Sequence, residues 1–199
     1  MNLYLRLMLA VLRGLLGRKL HLLDEGVTYH RVWPWDLDAY GHMNNGRYLQ
    51  ISDVARIELM CRTNAAHIIF KRRFGGVLGG SLVRHVRALK VFSRYLVVSR
   101  VLCWDERWFY TEHRFETLSG KVITTCITRA ALRCKKDWAG TSDIVNSVAP
   151  GLCSPIANKT VCAWMKADQA LSEATQPINP ADSANDSHHD TATAVNSRH

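Results

Sequence analysis

The chain contains one long stretch whose apolar spacing is that of a buried helix. In residues 45–61, apolar side chains recur every three or four positions and form a wide stripe. Asn44 or Asn45 stands where a helix N-cap is expected. β-rich segments flank this helix, at residues 27–35, 77–89, 95–104, 108–117 and 121–133. The order of strand, long helix and four-strand meander predicts an α+β domain in which an antiparallel sheet wraps the helix.

The length of 199 residues suits a single domain with additions at both ends. We predict a basic amphipathic helix in residues 1–23 and the folded domain in residues 24–136. Residues 137–175 are expected to form a C-terminal extension with a short helix. Residues 176–199 contain only two aliphatic side chains larger than Ala, so we predict that this tail is disordered.

The N-terminal segment leaves two interpretations open. Its apolar residues fit a 3.6-residue period and its basic residues lie largely off that stripe, which consists of Leu5, Met8, Leu9, Leu12, Leu15 and Leu16. The helix either docks on its own protein or makes a peripheral contact with an anionic membrane through residues 1–20. Its longest uncharged run, residues 7–12, is far shorter than the ~20 residues of a spanning helix. We therefore predict a cytoplasmic protein, with attachment at a membrane surface left open.

The net charge of +9 indicates an anionic partner without identifying it. Residues 59–104 contain nine basic residues and no acid, whereas mixed signs are usual on a protein surface. We predict no nucleic-acid partner, because the sequence contains no helix-turn-helix, zinc finger or RNA-binding motif. No Cys pair has zinc-knuckle spacing, so no metal site is predicted.

A polar motif stands between the first strand and the long helix. It reads DLDAYGHMNNGRY, from Asp36 to Tyr48. This pattern, D-x-D-x-x-G-H-x-N-N-x-x-Y, resembles the signature of hotdog-fold acyl-CoA thioesterases of the 4-hydroxybenzoyl-CoA thioesterase type. The run VWPWDLDAYGHMNNGRYL and the later WDERWFYTEHRF are similar to the branch called thioesterase superfamily member 6. The similarity extends over residues 20–134 and implies a single hotdog fold.

The resemblance implies hydrolysis of an acyl-CoA or acyl-carrier-protein thioester to free acid and thiol. Asp38 matches the catalytic carboxylate and would act as general base or as nucleophile. Asp36 matches no catalytic position and is expected to cap the backbone. His42 and Asn45 are candidates to hydrogen-bond the carbonyl, the water or Asp38. No cofactor is implied, because coenzyme A is part of the substrate.

Further residues of the motif are candidates for substrate binding. Gly41 permits an unusual backbone angle and a close approach of the thioester. Gly46 lies at the helix start, where free N–H groups and the helix dipole favour an oxyanion. Tyr48, one turn into the helix, is expected to line the core or a substrate tunnel.

Basic residues on the second strand and its exit are candidates to pair with the phosphates of coenzyme A. These candidates are Arg84, Arg87, Lys90 and Arg94. An acyl-carrier protein is acidic, and the same residues suit that carrier.

The resemblance further implies a homodimer or homotetramer, because hotdog sheets expose an edge strand. One alternative is a non-catalytic protein that binds acyl-CoA or an acyl carrier in the same pocket. A dehydratase or hydratase of acyl thioesters is a weaker alternative, because the Asn-Asn pair departs from the usual pattern of those enzymes.

Overall fold

A computed structural model of the chain describes residues 3–135 and 137–175. The predicted disordered tail, residues 176–199, lies outside the described residues. The elements follow the order α1 (Leu3–Leu16), β1 (Gly26–Arg31), a 3₁₀ turn (Pro34–Asp36), α2 (Asn45–Arg62), α3 (Ala65–Lys71), β2 (Gly75–His85), β3 (Arg94–Trp104), β4 (Phe109–Thr117), β5 (Val122–Cys134), β6 (Asp137–Trp138), α4 (Thr141–Val148) and α5 (Lys159–Ala174).

The long predicted helix is α2, and it forms the centre of the core. Its buried side chains include Tyr48, Ile51 and Ala55. They pack in one cluster with residues of the sheet, including Tyr95 of β3 and Phe115 of β4. Burial of each large apolar side chain contributes roughly 1.5–3 kcal/mol, so this cluster holds the sheet against the helix.

The strands form one antiparallel sheet in the order β1-β3-β4-β5-β2, with β6 paired to the end of β5. β3, β4 and β5 are consecutive in the chain and form the predicted meander. β1 and β2 are the two edges of this order, so each is paired on one side only within the described part of the chain. β2 pairs with β5 and has a bulge between Leu78 and Gly80.

Helix α1 packs on α2 with a face that its apolar pattern did not indicate. The buried residues of α1 are Arg6, Ala10 and Gly14, spaced one turn apart. Gly14 is so close to α2 that an added Cβ would lie 2.5 Å from the Cβ of Cys61. The apolar stripe points the other way, and most of it is exposed: Leu5, Met8, Leu12, Leu15 and Leu16, with Tyr4 beside them. The helix therefore docks on its own protein through its narrow face of small residues.

A buried ion pair fixes α1 to the motif loop. Arg6 bonds with the carboxylate of Asp36, and both side chains are almost fully buried. Asp36 also accepts the Trp33 N–H at 3.0 Å and lies 3.6 Å from the Arg47 guanidinium. The Asp36 carbonyl accepts the N–H of Asn44, the N-cap of α2, at 2.8 Å. Asp36 therefore holds the backbone as expected, and in addition it binds the N-terminal helix.

The C-terminal part contains more structure than predicted. The expected short helix is α5, and β6 and α4 precede it. The chain divides into two compact units between Asn158 and Lys159, so α5 belongs to the second. Within the described residues, no helix combines the length and the apolar character needed to cross a membrane.

We predict that Arg6→Met strongly destabilises the fold. Removal of one partner of a buried ion pair leaves an uncompensated charge, at a cost of about 3–5 kcal/mol in the free energy of unfolding. Arg13→Met on the same helix is the control, because the Arg13 side chain is exposed and forms no ion pair with any described residue, and the expected change is within about 0.5 kcal/mol. Urea unfolding of both variants provides the measurement. Equal, small losses in the two variants would show that the Arg6–Asp36 contact contributes little.

Candidate active site

The Asp38 carboxylate lies in a tight turn between the 3₁₀ turn and α2. Its Oδ1 accepts the N–H groups of Tyr40 at 2.9 Å and His42 at 3.2 Å. The backbones of Asp38 and His42 are also bonded, with Asp38 N–H donating to the His42 carbonyl at 2.8 Å. No hydrogen-bond partner of Oδ2 is found in the described part of the chain. The turn therefore fixes the carboxylate through one oxygen and leaves the other for chemistry.

Gly41 closes this turn with a φ of +75°, a conformation that strongly favours glycine. Its N–H donates to the Asp38 carbonyl at 3.1 Å. Among the described residues, no atom beyond its chain neighbours lies within 4 Å of the place where a Cβ would stand. The backbone is therefore accessible beside the carboxylate, and the approach of a substrate at this place stays a prediction.

The start of α2 adjoins the turn. Asn44 is the N-cap, and its side-chain oxygen accepts the Gly46 N–H at 2.8 Å. This bond occupies one of the donors that we expected a substrate to use. Asn45, the first helical residue, is exposed, and its side chain makes no hydrogen bond with any described residue. Asn45 therefore keeps its amide available, whereas the Gly46 N–H is already engaged.

His42 connects the turn to the segment after β2. His42 and Lys90 form an antiparallel bridge, and the Met43 N–H donates to the Leu89 carbonyl at 2.9 Å. This pairing brings Lys90 to the loop that carries Asp38. The imidazole of His42 is partly buried, and no described residue forms a hydrogen bond with it.

Tyr48 is buried below the turn, in agreement with the predicted core position. Its ring lies 4.8 Å from the ring of His85 and 5.1 Å from that of Phe115. Burial raises the pKa of Tyr48, and a hydrogen bond with Thr124 opposes that effect. His85 Nδ1 lies 3.1 Å from the Thr124 hydroxyl. His85 was not predicted as a site residue, because its only signal in the sequence is its place in the basic strand beside Arg84.

The structure separates the four basic candidates into two groups. Arg84 lies near the end of β2, and Arg87 and Lys90 follow in the exposed segment that reaches the motif loop. Arg94 begins β3 and is in register with Arg31 of β1, at the opposite side of the strand order. Arg94 lines a different cavity, together with Arg6 and Arg13 of α1.

An apolar cavity of about 470 Å³ lies along α2, beyond its first turns. Side chains of α2, α3, α4 and the sheet line it, among them Ile57, Met60, Val77, Phe109 and Ile144. The polar side chains of Asp53 and Arg56 also reach it, and these two form an ion pair. Asp53 is eight residues from Asn45, which corresponds to about 12 Å along the helix axis.

In the part of the chain that the structure describes, no three or more His, Cys, Asp or Glu side chains lie together so that they could hold a metal ion. The prediction of a site without metal stays a prediction.

Comparison with known proteins identifies the family. Residues 32–145, more than half of the chain, match the thioesterase-like superfamily. The chain belongs to this superfamily. It is 30% identical over 157 residues to protein THEM6 of Xenopus laevis, covering 76% of this chain and 72% of that protein. It is 35% identical over 120 residues to protein THEM6 of Drosophila melanogaster, covering 59% and 62%. The predicted relationship to the thioesterase superfamily member 6 branch is thus confirmed.

Solved structures of superfamily members confirm the hotdog fold. The probable thioesterase YbaW of Escherichia coli aligns with a TM-score of 0.58 at 15% identity, over 62% of this chain and 96% of that one. The 1,4-dihydroxy-2-naphthoyl-CoA thioesterase Slr0204 of Synechocystis aligns with a TM-score of 0.55 at 14% identity, over 65% and 98%. At these identities the similarity concerns the fold alone.

Proposed function

We propose that the protein hydrolyses an acyl-CoA or acyl-carrier-protein thioester to free acid and thiol, with Asp38 as the catalytic carboxylate. One observation carries this proposal: the motif turn holds Asp38 Oδ1 with two N–H groups while Oδ2 has no partner among the described residues. A fixed carboxylate with one available oxygen is what a general base or a nucleophile requires. Membership of the thioesterase-like superfamily supports the reaction type.

In the proposed reaction, Oδ2 either takes a proton from water that attacks the thioester carbonyl or attacks that carbon itself. Negative charge then develops on the carbonyl oxygen. The exposed start of α2, with the Asn45 amide, and the partly buried His42 ring supply donors on the same loop. The thiolate leaves as the carbonyl re-forms, and it is protonated to the free thiol. On the general-base route this step gives the free acid directly. On the nucleophilic route it leaves a mixed anhydride on Asp38, which a water molecule then hydrolyses to the free acid and the original carboxylate.

The two ends of the substrate fit different surfaces in this proposal. The apolar cavity along α2 receives the acyl group, because its lining is mostly aliphatic and aromatic. Arg84, Arg87 and Lys90 provide charge for the phosphates of coenzyme A or for the acidic surface of an acyl carrier. Arg94 is on the other side of the strand order and would not act with them on the same phosphate.

We also propose a homodimer, or a homotetramer built from such dimers, formed through the open edge of β2. This edge has eleven residues and carries Arg84 and His85 next to the candidate site. A second β2 would satisfy its free backbone groups and place the site close to the partner.

A cytoplasmic location with a peripheral contact to an anionic membrane is the third part of the proposal. The exposed face of α1 presents five large aliphatic side chains and Tyr4 to solvent. Arg13, Arg18 and Lys19 stand beside or just beyond it, and the described part of this segment has no acid before Asp24. Apolar side chains next to basic ones match a membrane surface that carries negative charge.

We predict that Asp38→Asn lowers kcat for thiol release by about 10²–10⁴-fold, because Asn keeps the turn but cannot act as a base. The assay measures free thiol from acyl-CoAs of increasing chain length and from an acyl-carrier protein. Asp105→Asn is the matched control, since Asp105 Oδ1 also accepts two backbone N–H groups, from Arg107 and Trp108. Full activity of Asp38→Asn would refute the assigned role.

The same assay tests the non-catalytic alternative. That alternative predicts thermal stabilisation by acyl-CoA without release of thiol from any acyl-CoA or acyl carrier. The proposed enzyme predicts both binding and turnover by the unaltered protein.

We predict a dimer in light scattering, with at least twice the monomer mass of 22.5 kDa. Leu82→Lys on β2 is expected to shift this mass toward the monomer, because it places a charge at the proposed interface. Val122→Lys is the matched control: Leu82 is 38% exposed and Val122 37%, but Val122 lies on the inner strand β5. A monomeric unaltered protein at micromolar concentration would contradict the proposed interface.

We predict that the protein floats with vesicles containing phosphatidylserine and binds pure phosphatidylcholine more weakly. Leu12→Glu/Leu15→Glu should weaken this binding at least about tenfold, because two exposed leucines leave the interface. Phe70→Glu/Ile156→Glu is the control, since both side chains are highly exposed but lie outside α1. Equal binding by the two double variants would exclude α1 as the membrane contact. A lower mass of the α1 variant in light scattering would indicate instead that this face contacts a second copy of the chain.

A further inference from the structure

A second cavity, distinct from the apolar one along α2, is enriched in arginine. It has a volume of about 500 Å³ and lies between α1, α2 and the ends of β1 and β3. Four guanidinium groups line it, those of Arg6, Arg13, Arg31 and Arg94, against a single acid, Glu58. Its size is within the range of about 300–1,000 Å³ typical of small-molecule sites.

The positive charges that line this basic cavity outnumber the negative ones. Arg6 is paired with Asp36. Arg13, Arg31 and Arg94 form no ion pair with any residue in the described part of the chain. Burial raises the pKa of Glu58, and the nearby charges of Arg13 and Arg62 oppose this effect. Three cations in a partly enclosed space attract an anion and hold it with charge-assisted hydrogen bonds.

The rings of Tyr95 and His30 also line the basic cavity. The side chain of Tyr95 is fully buried, and its hydroxyl has no hydrogen-bond partner among the described residues. Buried hydroxyls are rarely left unpaired, so a ligand oxygen would satisfy this donor. Burial, together with the charges of Arg6 and Arg13, lowers the pKa of the adjacent His30 to about 4. His30 is therefore neutral at physiological pH, and the arginines supply the positive charge.

An apolar groove continues from the basic cavity. It runs between α1 and the edge strand β1 and is lined by Leu9, Leu12, Leu16 and Val27, with a volume of about 580 Å³. The groove and the basic cavity share Leu9, Arg13, Tyr29 and Glu58, so the two spaces adjoin. A basic end and an apolar extension together fit a molecule with an anionic head and a single hydrocarbon chain.

We infer that this cavity and groove bind a single-chain anionic amphiphile, whose carboxylate or phosphate head contacts Arg13, Arg31 and Arg94 while its chain lies along α1. The site is separate from Asp38, and ligand binding there requires no cleavage. A free long-chain acid and a phosphorylated single-chain lipid share this chemistry. The inference holds whether or not the protein proves to be a thioesterase.

The test is calorimetric titration of the full chain with decanoate, decyl phosphate, decanol and inorganic phosphate, each below its micellar concentration. Decanoate or decyl phosphate should bind at least about tenfold more tightly than decanol, because the head makes charge-assisted bonds. The tighter of the two anions identifies the head group. Inorganic phosphate should bind more weakly than decyl phosphate, because it leaves the groove empty.

Variants locate the site. Arg13→Gln/Arg94→Gln should weaken binding of the anionic probe at least about tenfold. Lys71→Gln/Arg73→Gln is the matched control, since it removes two exposed charges that line neither space. Tyr95→Phe should weaken binding less, and Asp38→Asn should leave it unchanged. Equal affinity for decanol, or equal binding by the two double variants, would overturn the inference.

Discussion

The buried pair of Arg6 and Asp36 is the contact on which the arrangement around the candidate site depends. Two charges are removed from water here, and such a pair is tolerated only when each partner is well bonded. Asp36 meets this condition through Arg6, Arg47 and the Trp33 N–H. Because its own carbonyl accepts the N–H of the α2 N-cap, the pair connects α1, the motif loop and the start of the central helix.

The two aspartates of the motif differ in environment rather than in chemistry. Asp36 is almost completely buried, and its carboxylate interacts with two arginines and a backbone N–H group. Asp38, two residues later, is half-buried and spends one oxygen on the turn. A stretch of a few residues thus contains one carboxylate that builds the loop and one that remains available to a substrate.

The sequence was sufficient for α2 and the meander, since a 3.6-residue period and alternating strands report burial directly. For α1 the sequence was misleading. Its periodicity shows that the helix has an apolar stripe, but the face that packs on α2 is the one with Ala10 and Gly14, which come closer to α2 than the leucines do. Closeness in the sequence also placed Arg94 in one group with Arg84. Residues that are close in the sequence need not be close in a sheet. Strand order separates them, and His85 gained significance only through its contacts with Tyr48 and Thr124.

The close approach at Gly14 also selects a single register for α1 on α2. A shift of one turn that brings Ala10 to this place would set its Cβ against Cys61 and the Glu58 carbonyl, where distances of 2.5 and 2.9 Å leave no room. A three-residue shift would bring Gly17, which fits, but would then place Leu9 opposite Asp36, so that this buried charge would lose Arg6 and keep only the longer contact with Arg47. Steric overlap excludes the one-turn shift, and the loss of the Arg6–Asp36 pair opposes the three-residue shift. Arg6 and Gly14, eight positions apart, therefore specify the register of α1 on α2.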